Sequence, residues 1–394
     1  MDMKINKNHL FLLLSVYLVL FSSCSDSLSD TTDGRLRYWI STLASDEFEG
    51  RAPGTEGGKL TKNFISKTFQ DLSLDPVNGE YLHKVPASEI TLKDSSYLTL
   101  SFRGNDRKMI TGQEVVFWTK QAREYRKIRD SEVVFVGYGI VAPEYNWNDY
   151  EGIDVRGKTV VILVNDPGFA SGKLRLFNGR SMTYYGRWTY KFEEAARQGA
   201  AAAIIVHEEE PAAYPWSVVE NSWQGPQLDL QREDLGADRA ILEGWIRDIT
   251  LDEVLNFTGF NYQSLKEIAL EKTFSAFPLR GLTLSSEIHN KVRYFQSHNV
   301  AAIKRGSKRP DEYILFMAHW DHIGIMNGLP PGADNIANGA VDNATGVAAV
   351  MEFAKRFSEI KTDRSIMFLA LTLEESGLLL SLIHISEPTR RCYI

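Results

Sequence analysis

The sequence predicts an α/β protein, with a mixed, largely parallel sheet covered by helices and a small α/β module inserted into it. Three observations lead there. Segments of helical periodicity alternate with apolar runs of strand length at both ends of the foldable chain. Residues 347–357 read as a helix lying between the apolar runs 313–318 and 365–373, the layout of a βαβ unit in a covered, parallel sheet. Between about residues 91 and 287 the texture changes to shorter β-like runs, which marks a second module.

The first residues are not part of this fold. Lys4 and Lys7 precede an apolar run from Leu10 to Phe21, followed by Ser22-Ser23-Cys24. A charged start, a short apolar stretch and small residues form a secretory signal. The run is too short to span a bilayer comfortably. Its end is similar to a bacterial lipoprotein box, which would put a lipid on Cys24 and the protein on a cell-envelope membrane, or otherwise in the secreted fraction. Residues 1–24 are therefore assigned to the signal and the polar stretch 25–34 to a tether.

Leu36, Trp39, Ile40 and Leu43 fall on one helical face, which opens the first part of the main domain, residues 35–90. Gly50-Arg51-Ala52-Pro53-Gly54-Thr55 breaks that helix as a turn, and Arg51 reads as structural within it. A second helix follows, with Leu60, Phe64, Phe69 and Leu72 on its apolar face. In the module 91–287, Val133-Val134-Phe135-Val136 and the run 159–164 read as strands, the latter closed by Asn165-Asp166-Pro167-Gly168. A helix at 191–198 and an apolar run at 200–206 complete a strand–helix–strand unit. An insertion of this kind is expected to join at adjacent points and keep its strands to itself. The second part of the main domain spans 288–379, with candidate strands at 300–303, 313–318 and 365–373.

Totals bound the function. A length of 394 residues is too great for one ordinary core. With 43% hydrophobic and 24% charged residues the chain is globular rather than disordered. A formal charge of -7 argues against a nucleic-acid partner. The two cysteines, Cys24 and Cys392, lie outside the foldable middle, so no disulfide framework or cysteine zinc site is available.

Chemistry-bearing residues collect at the ends of the regular elements. His319-Trp320-Asp321-His322 follows the strand ending at Ala318, Asp342 opens the helix at 347–357, and Glu374-Glu375 ends the run from Ser365. Sites in open α/β sheets lie beyond the carboxyl ends of strands. Zinc accepts imidazole nitrogen and carboxylate oxygen and keeps one position for water in catalytic sites. Asp321 sits two residues after His319, so both side chains can leave the strand on one side, and a carboxylate there can hold the ring's other N–H. Each piece has an ordinary explanation: surface chance for His-x-Asp, a helix cap for Asp342, a solvated loop end for the glutamates. Together they are far less ordinary.

Three stretches now carry a resemblance. Phe316-Met317-Ala318-His319-Trp320-Asp321-His322, Asn338-Gly339-Ala340-Val341-Asp342-Asn343-Ala344-Thr345-Gly346 and Ala370-Leu371-Thr372-Leu373-Glu374-Glu375-Ser376-Gly377-Leu378 resemble the M28 family of zinc peptidases, as does the segment around residues 40–55. Phe135-Val136-Gly137-Tyr138-Gly139-Ile140 and Glu194-Ala195-Ala196-Arg197-Gln198-Gly199-Ala200 resemble a protease-associated domain. The resemblance implies a zinc-exopeptidase-like fold and an aminopeptidase acting on peptides or proteins. It implies two zinc ions, with His319 on one, Asp342 bridging both and Glu375 on the second. Glu374 would be the general base and Asp321 the partner of His319. Asp334 is a rival for the bridging role but opens no periodic helix, and His322 is expected to be a neighbour rather than a ligand. His83, His207, His289 and His298 are expected to be structural or exposed. A carboxypeptidase-like or cyclase-like zinc enzyme on this scaffold, or a binding protein working through the inserted module, are the competing readings.

The family pattern calls for a further acid and a histidine after Glu375, and neither is expected here. From Leu380 the sequence Ser381-Leu382-Ile383-His384-Ile385-Ser386-Glu387-Pro388-Thr389-Arg390 resembles a translated sequencing-library adapter. Residues 380–394 are therefore expected to be a non-native tail on an incomplete catalytic domain, and the chain itself to be inactive.

Overall fold

A computed structural model describes residues 31–379, except 224, 272, 327–329, 331 and 378. The expected signal with Cys24 and the expected tail 380–394 lie outside the described residues. Helices α1 (Thr32–Leu43) and α2 (Glu56–Asp71) open the chain, followed by the short strand β1 (Asp75–Pro76). Next come β2 (Tyr125–Phe135), β3 (Thr159–Leu163), α3 (Trp188–Arg197), β4 (Ala202–His207), β5 (Leu242–Arg247) and the long β6 (Phe277–Lys304). The last stretch holds β7 (Arg309–His319), α4 (Thr345–Ser358) and β8 (Arg364–Leu371). The four helices and β3, β4, β7 and β8 lie where the sequence pattern places them, with ends shifted by a few residues.

The chain divides into two compact units, one reaching Pro86 and resuming at Phe295, the other Ala87–Tyr294. In the first, the end of β6 pairs antiparallel with β1 and with β8, Val300 standing opposite Ala370. β8 pairs parallel with β7, His319 opposite Leu371, and α4 connects the two as the sequence predicts. The sheet is mixed. Alternation along β6 sorts its side chains: Val300 and Ala302 face Leu43, Ile65, Phe69, Val347 and Met351 of the helices. Ala301 and Ile303 face the other way, with Val77, Leu369 and Leu371.

An ion-pair cluster fastens α1 to α4. Arg35 holds Glu352 bidentately (Nε–Oε2 2.9 Å, Nη2–Oε1 2.8 Å), and Arg356 and Thr32 donate to the same carboxylate. Burial pushes the Glu352 carboxyl up, but the hydrogen bonds from Arg35, Arg356 and Thr32 and the charge of Arg35 win, lowering it from 4.5 to about 2. A depressed carboxyl stabilises the fold above its unfolded value and loses that contribution as pH falls toward the folded one. Stability is thus expected to decline by about 1–3 kcal/mol between pH 4.5 and 2 on this account. Urea melts of the parent and Glu352→Gln across that window check it. The variant is expected to be less stable at pH 7 and flatter with pH, and parallel curves would refute the assignment.

In the second unit β2, β3, β4 and β5 run parallel in that order, and α3 makes the crossover from β3 to β4. An antiparallel strand, Val115–Trp118, borders β5. The apolar runs that predict β3 and β4 are continuous because both faces are covered. Val161 and Ile204 enter one cluster, and Ile162 and Ile205 enter the other with Phe192 and Trp245. The expectation that the insertion keeps its strands to itself is not met. β6, 28 residues long, crosses the unit boundary, since neither glycine nor proline interrupts residues 282–304.

Candidate metal centre

Three chain segments of the first unit meet at one end of its sheet. The first follows β7. His319 is the last residue of that strand, and Trp320, fully buried, continues the pairing by donating its backbone N–H to Leu371 O (2.8 Å). The second precedes α4. Gly339 turns the chain with φ +58°, a single irregular turn spans Ala340–Ala344, and the Asp342–Asn343 peptide is cis. Asn343 Oδ1 accepts the N–H of Gly346 (3.0 Å), so Asn343 rather than Asp342 serves the helix start. The Asp342 carboxylate points instead at His319. The third segment follows β8. Leu373, buried, adopts φ +61°, a conformation unfavourable for a residue with a side chain. That turn brings Glu374 and Glu375 round to the same place.

One ligand atom each from His319, Asp342 and Glu375 lie within 4.8 Å of one another. His319 Nε2 is 3.1 Å from Asp342 Oδ1 and 3.7 Å from Glu374 Oε2. Glu374 contributes nothing to the cluster of three. His322 Nδ1 sits 2.6 Å from Glu375 Oε1, a neighbour that fixes a cluster member. Asp334 is outside the cluster and accepts the N–H of Ile336 (3.1 Å) in its own loop. Of the remaining histidines, His207 Nε2 meets Tyr214 O (3.1 Å) and His298 Nδ1 meets Lys62 Nζ (2.8 Å).

Asp321 departs from its expected contact. His319 Nδ1 is 3.1 Å from the Asp321 backbone carbonyl, while the nearer Asp321 carboxylate oxygen is 3.9 Å away. That carboxylate, fully buried, accepts the backbone N–H groups of Glu374 (3.2 Å) and Glu375 (3.3 Å). The turn at Leu373 leaves those two amides facing inward without a strand partner, so they take the carboxylate and the ring takes the carbonyl. Either acceptor fixes an imidazole tautomer. Here it leaves Nε2 for the cluster.

Burial is the first reason the Asp321 carboxyl rises to about 6; Glu375 adds to it, and the two amides and His319 oppose it. Glu374 is also raised, by burial and then by Glu375 and Asp342, against the pull of His319. Acids crowded in this way are short of positive charge. An imidazole with two converging carboxylates is also a donor set that suits zinc, so the residues fit a cation of that class.

Residues 299–391 match the model described as peptidase family M28. The likeness is to this segment, about a quarter of the chain. The match runs on past Leu379, where the sequence reading has the family pattern break off. Over 80 residues the chain is 41% identical to a probable zinc metalloprotease of Pyrenophora teres f. teres (strain 0-1) and 40% identical to one of Pyrenophora tritici-repentis (strain Pt-1C-BFP). Each alignment takes in 20% of this chain, and 17% and 18% of those relatives, so the chain spans less than a fifth of their length. Among solved structures it is similar to an aminopeptidase from Aneurinibacillus sp. strain AM-1, at 20% identity and a TM-score of 0.49, covering 92% of this chain and 68% of that one. A zinc aminopeptidase from Bacillus subtilis follows at 18% identity and a TM-score of 0.37, covering 89% and 64%. The matched segment contains the clustered His319, Asp342 and Glu375, together with Glu374 and Asp321.

The sequence reading missed two contributors to this site. Arg51, read as structural in its turn, donates to backbone carbonyls beside His319 and Asp342. His322 is a neighbour as expected, but its bond to Glu375 has no signal in residue spacing.

Proposed function

We propose that the chain is an exported zinc-dependent peptidase of the aminopeptidase type, held to a bacterial envelope membrane by a lipid on Cys24. The convergence of His319, Asp342 and Glu375, with Glu374 beside them but outside the ligand set, carries the catalytic part of this reading. The M28 segment supports it. The signal-like start supports export and the anchor, and no helix among the described residues is long and apolar enough to cross a membrane.

His319 Nε2 and the carboxylates of Asp342 and Glu375 are the atoms that would hold zinc. When bound, the ion supplies a Lewis acid that polarises the scissile carbonyl and makes water a nucleophile near neutral pH. Glu374 handles the proton. Burial and the neighbouring acids raise its proton affinity, so it can take a proton from the attacking water and return it to the leaving amine. Asp321 holds Glu374 and Glu375 at their backbones. His322 holds the Glu375 carboxylate.

Metal analysis of the purified chain, with chelator competition, tests this reading and counts the ions, two being expected of the complete protein and weaker binding of this chain. Reversible zinc uptake at this site supports it, and failure to take up zinc removes it. Hydrolysis of an aminoacyl-anilide with a free amino group, but not of its N-acetylated form, establishes the aminopeptidase class. Absence of both at full zinc loading leaves the expectation of an inactive chain standing.

A further inference from the structure

Arg51 sits in the turn between α1 and α2, has φ +57°, and is 1% exposed. Its guanidinium spends its donors on backbone carbonyls. Nε donates to Trp320 O (3.0 Å), the residue after His319. Nη1 donates to Leu43 O (2.7 Å) and Asn338 O (2.5 Å), and Nη2 to Gly339 O (2.8 Å) with a longer contact to Asp342 O (3.5 Å). A planar fork with fixed donor directions specifies where each acceptor must be. Apart from Leu43 at the end of α1, the acceptors lie on the two loops that deliver His319 and Asp342.

Burial lowers the Arg51 guanidinium to about 10, against the charges of Asp321, Asp342 and Glu375, which support it. Keeping a charge at such a place is costly unless its geometry is used. Its removal takes this donor from the buried carbonyls of Leu43 and Trp320.

We infer that Arg51 is a positioning residue for the metal centre, clamping the loops after β7 and before α4 so that His319 and Asp342 are set for zinc before it arrives. The inference rests on the zinc reading above. It differs from a purely structural role, which would cost stability without a specific cost in metal affinity.

Zinc dissociation constants from chelator competition, and the visible spectrum of the cobalt-loaded chain, are compared for the parent, Arg51→Met, Arg51→Lys, His319→Ala and Phe69→Leu. Phe69 is buried in the same unit, its ring 6.4 Å from that of Phe368, and serves as the stability control. Arg51→Met is expected to bind zinc roughly 10–100-fold more weakly and to change the cobalt spectrum. Arg51→Lys, which keeps charge but not the fork, is expected to recover only part of the loss, and Phe69→Leu to bind as the parent does. If Arg51→Met does not fold, Arg51→Lys decides: weaker binding supports the inference and parental affinity overturns it. Equal losses in Arg51→Met and Phe69→Leu overturn it too. Zinc binding that His319→Ala weakens but the Arg51 variants do not defeats this inference alone. A parent that binds no zinc defeats the functional reading along with it.

Discussion

His319→Ala is expected to weaken zinc binding by at least about 100-fold, more than the loss typical of an outer-shell partner. Glu374→Gln is expected to bind zinc as the parent does. The two residues lie within 3.7 Å of each other, so the contrast does not come from distance. His319 brings the single nitrogen of the ligand cluster, and its Nδ1 is already committed to the Asp321 carbonyl. Glu374 is absent from the cluster and contributes proton affinity, which an amide removes without changing shape. Isothermal titration with zinc on both variants reads the contrast. A large loss in Glu374→Gln would make it a ligand and would require the roles of Glu374 and Glu375 to be reassigned.

Gly339→Ala is expected to cost about 2–4 kcal/mol of stability and to impair zinc binding with it. At φ +58° a side chain is strained on backbone grounds alone, by about 1–2 kcal/mol. A methyl group there would also sit 2.5 Å from Asp342 O, Arg51 Nη2 and His322 Cδ2, so three parts of the site would have to move. Gly79 isolates the first term. Its φ is +86°, yet nothing lies within 4 Å of a methyl group added there. Gly79→Ala is therefore expected to cost only the backbone strain and to bind zinc normally. Denaturant unfolding and zinc titration on the pair separate strain from collision, and equal effects would show that the crowding at Gly339 is unimportant.

The clustered residues were legible in the sequence because strand ends are. Apolar runs fix where β7 and β8 stop, and the residues at and just beyond those ends, His319 and Glu374-Glu375, are the ones a sheet presents at its edge of chemistry. Asp342 was legible through the helical period of α4. The supporting contacts were not, because their partners are backbone atoms, which have no letter in the sequence. The fork of Arg51 reaches carbonyls 269 and 288 positions away, whose residue types, tryptophan and glycine, say nothing of an acceptor. Asp321 was assigned to the imidazole because a nearby carboxylate commonly serves there. Its real partners follow from the left-handed turn at Leu373, which no leucine announces. The long β6 was misjudged for the opposite reason. The change of texture near residue 287 reads as a boundary, while the strand runs through it from Phe277 to Lys304.

The Arg51 clamp also sets a timetable. Proteins are made from the amino end at roughly 5–20 residues per second, so the interval between Arg51 and its acceptors at Trp320 and Gly339 is on the order of 15–60 s. All of Ala87–Tyr294 is made in that interval, and it has a core of its own. Until then Leu43 O is the one acceptor of the guanidinium that has already been made. Burial of the arginine and assembly of the ligand cluster therefore fall in the same late step, after β7 and the Gly339 turn emerge.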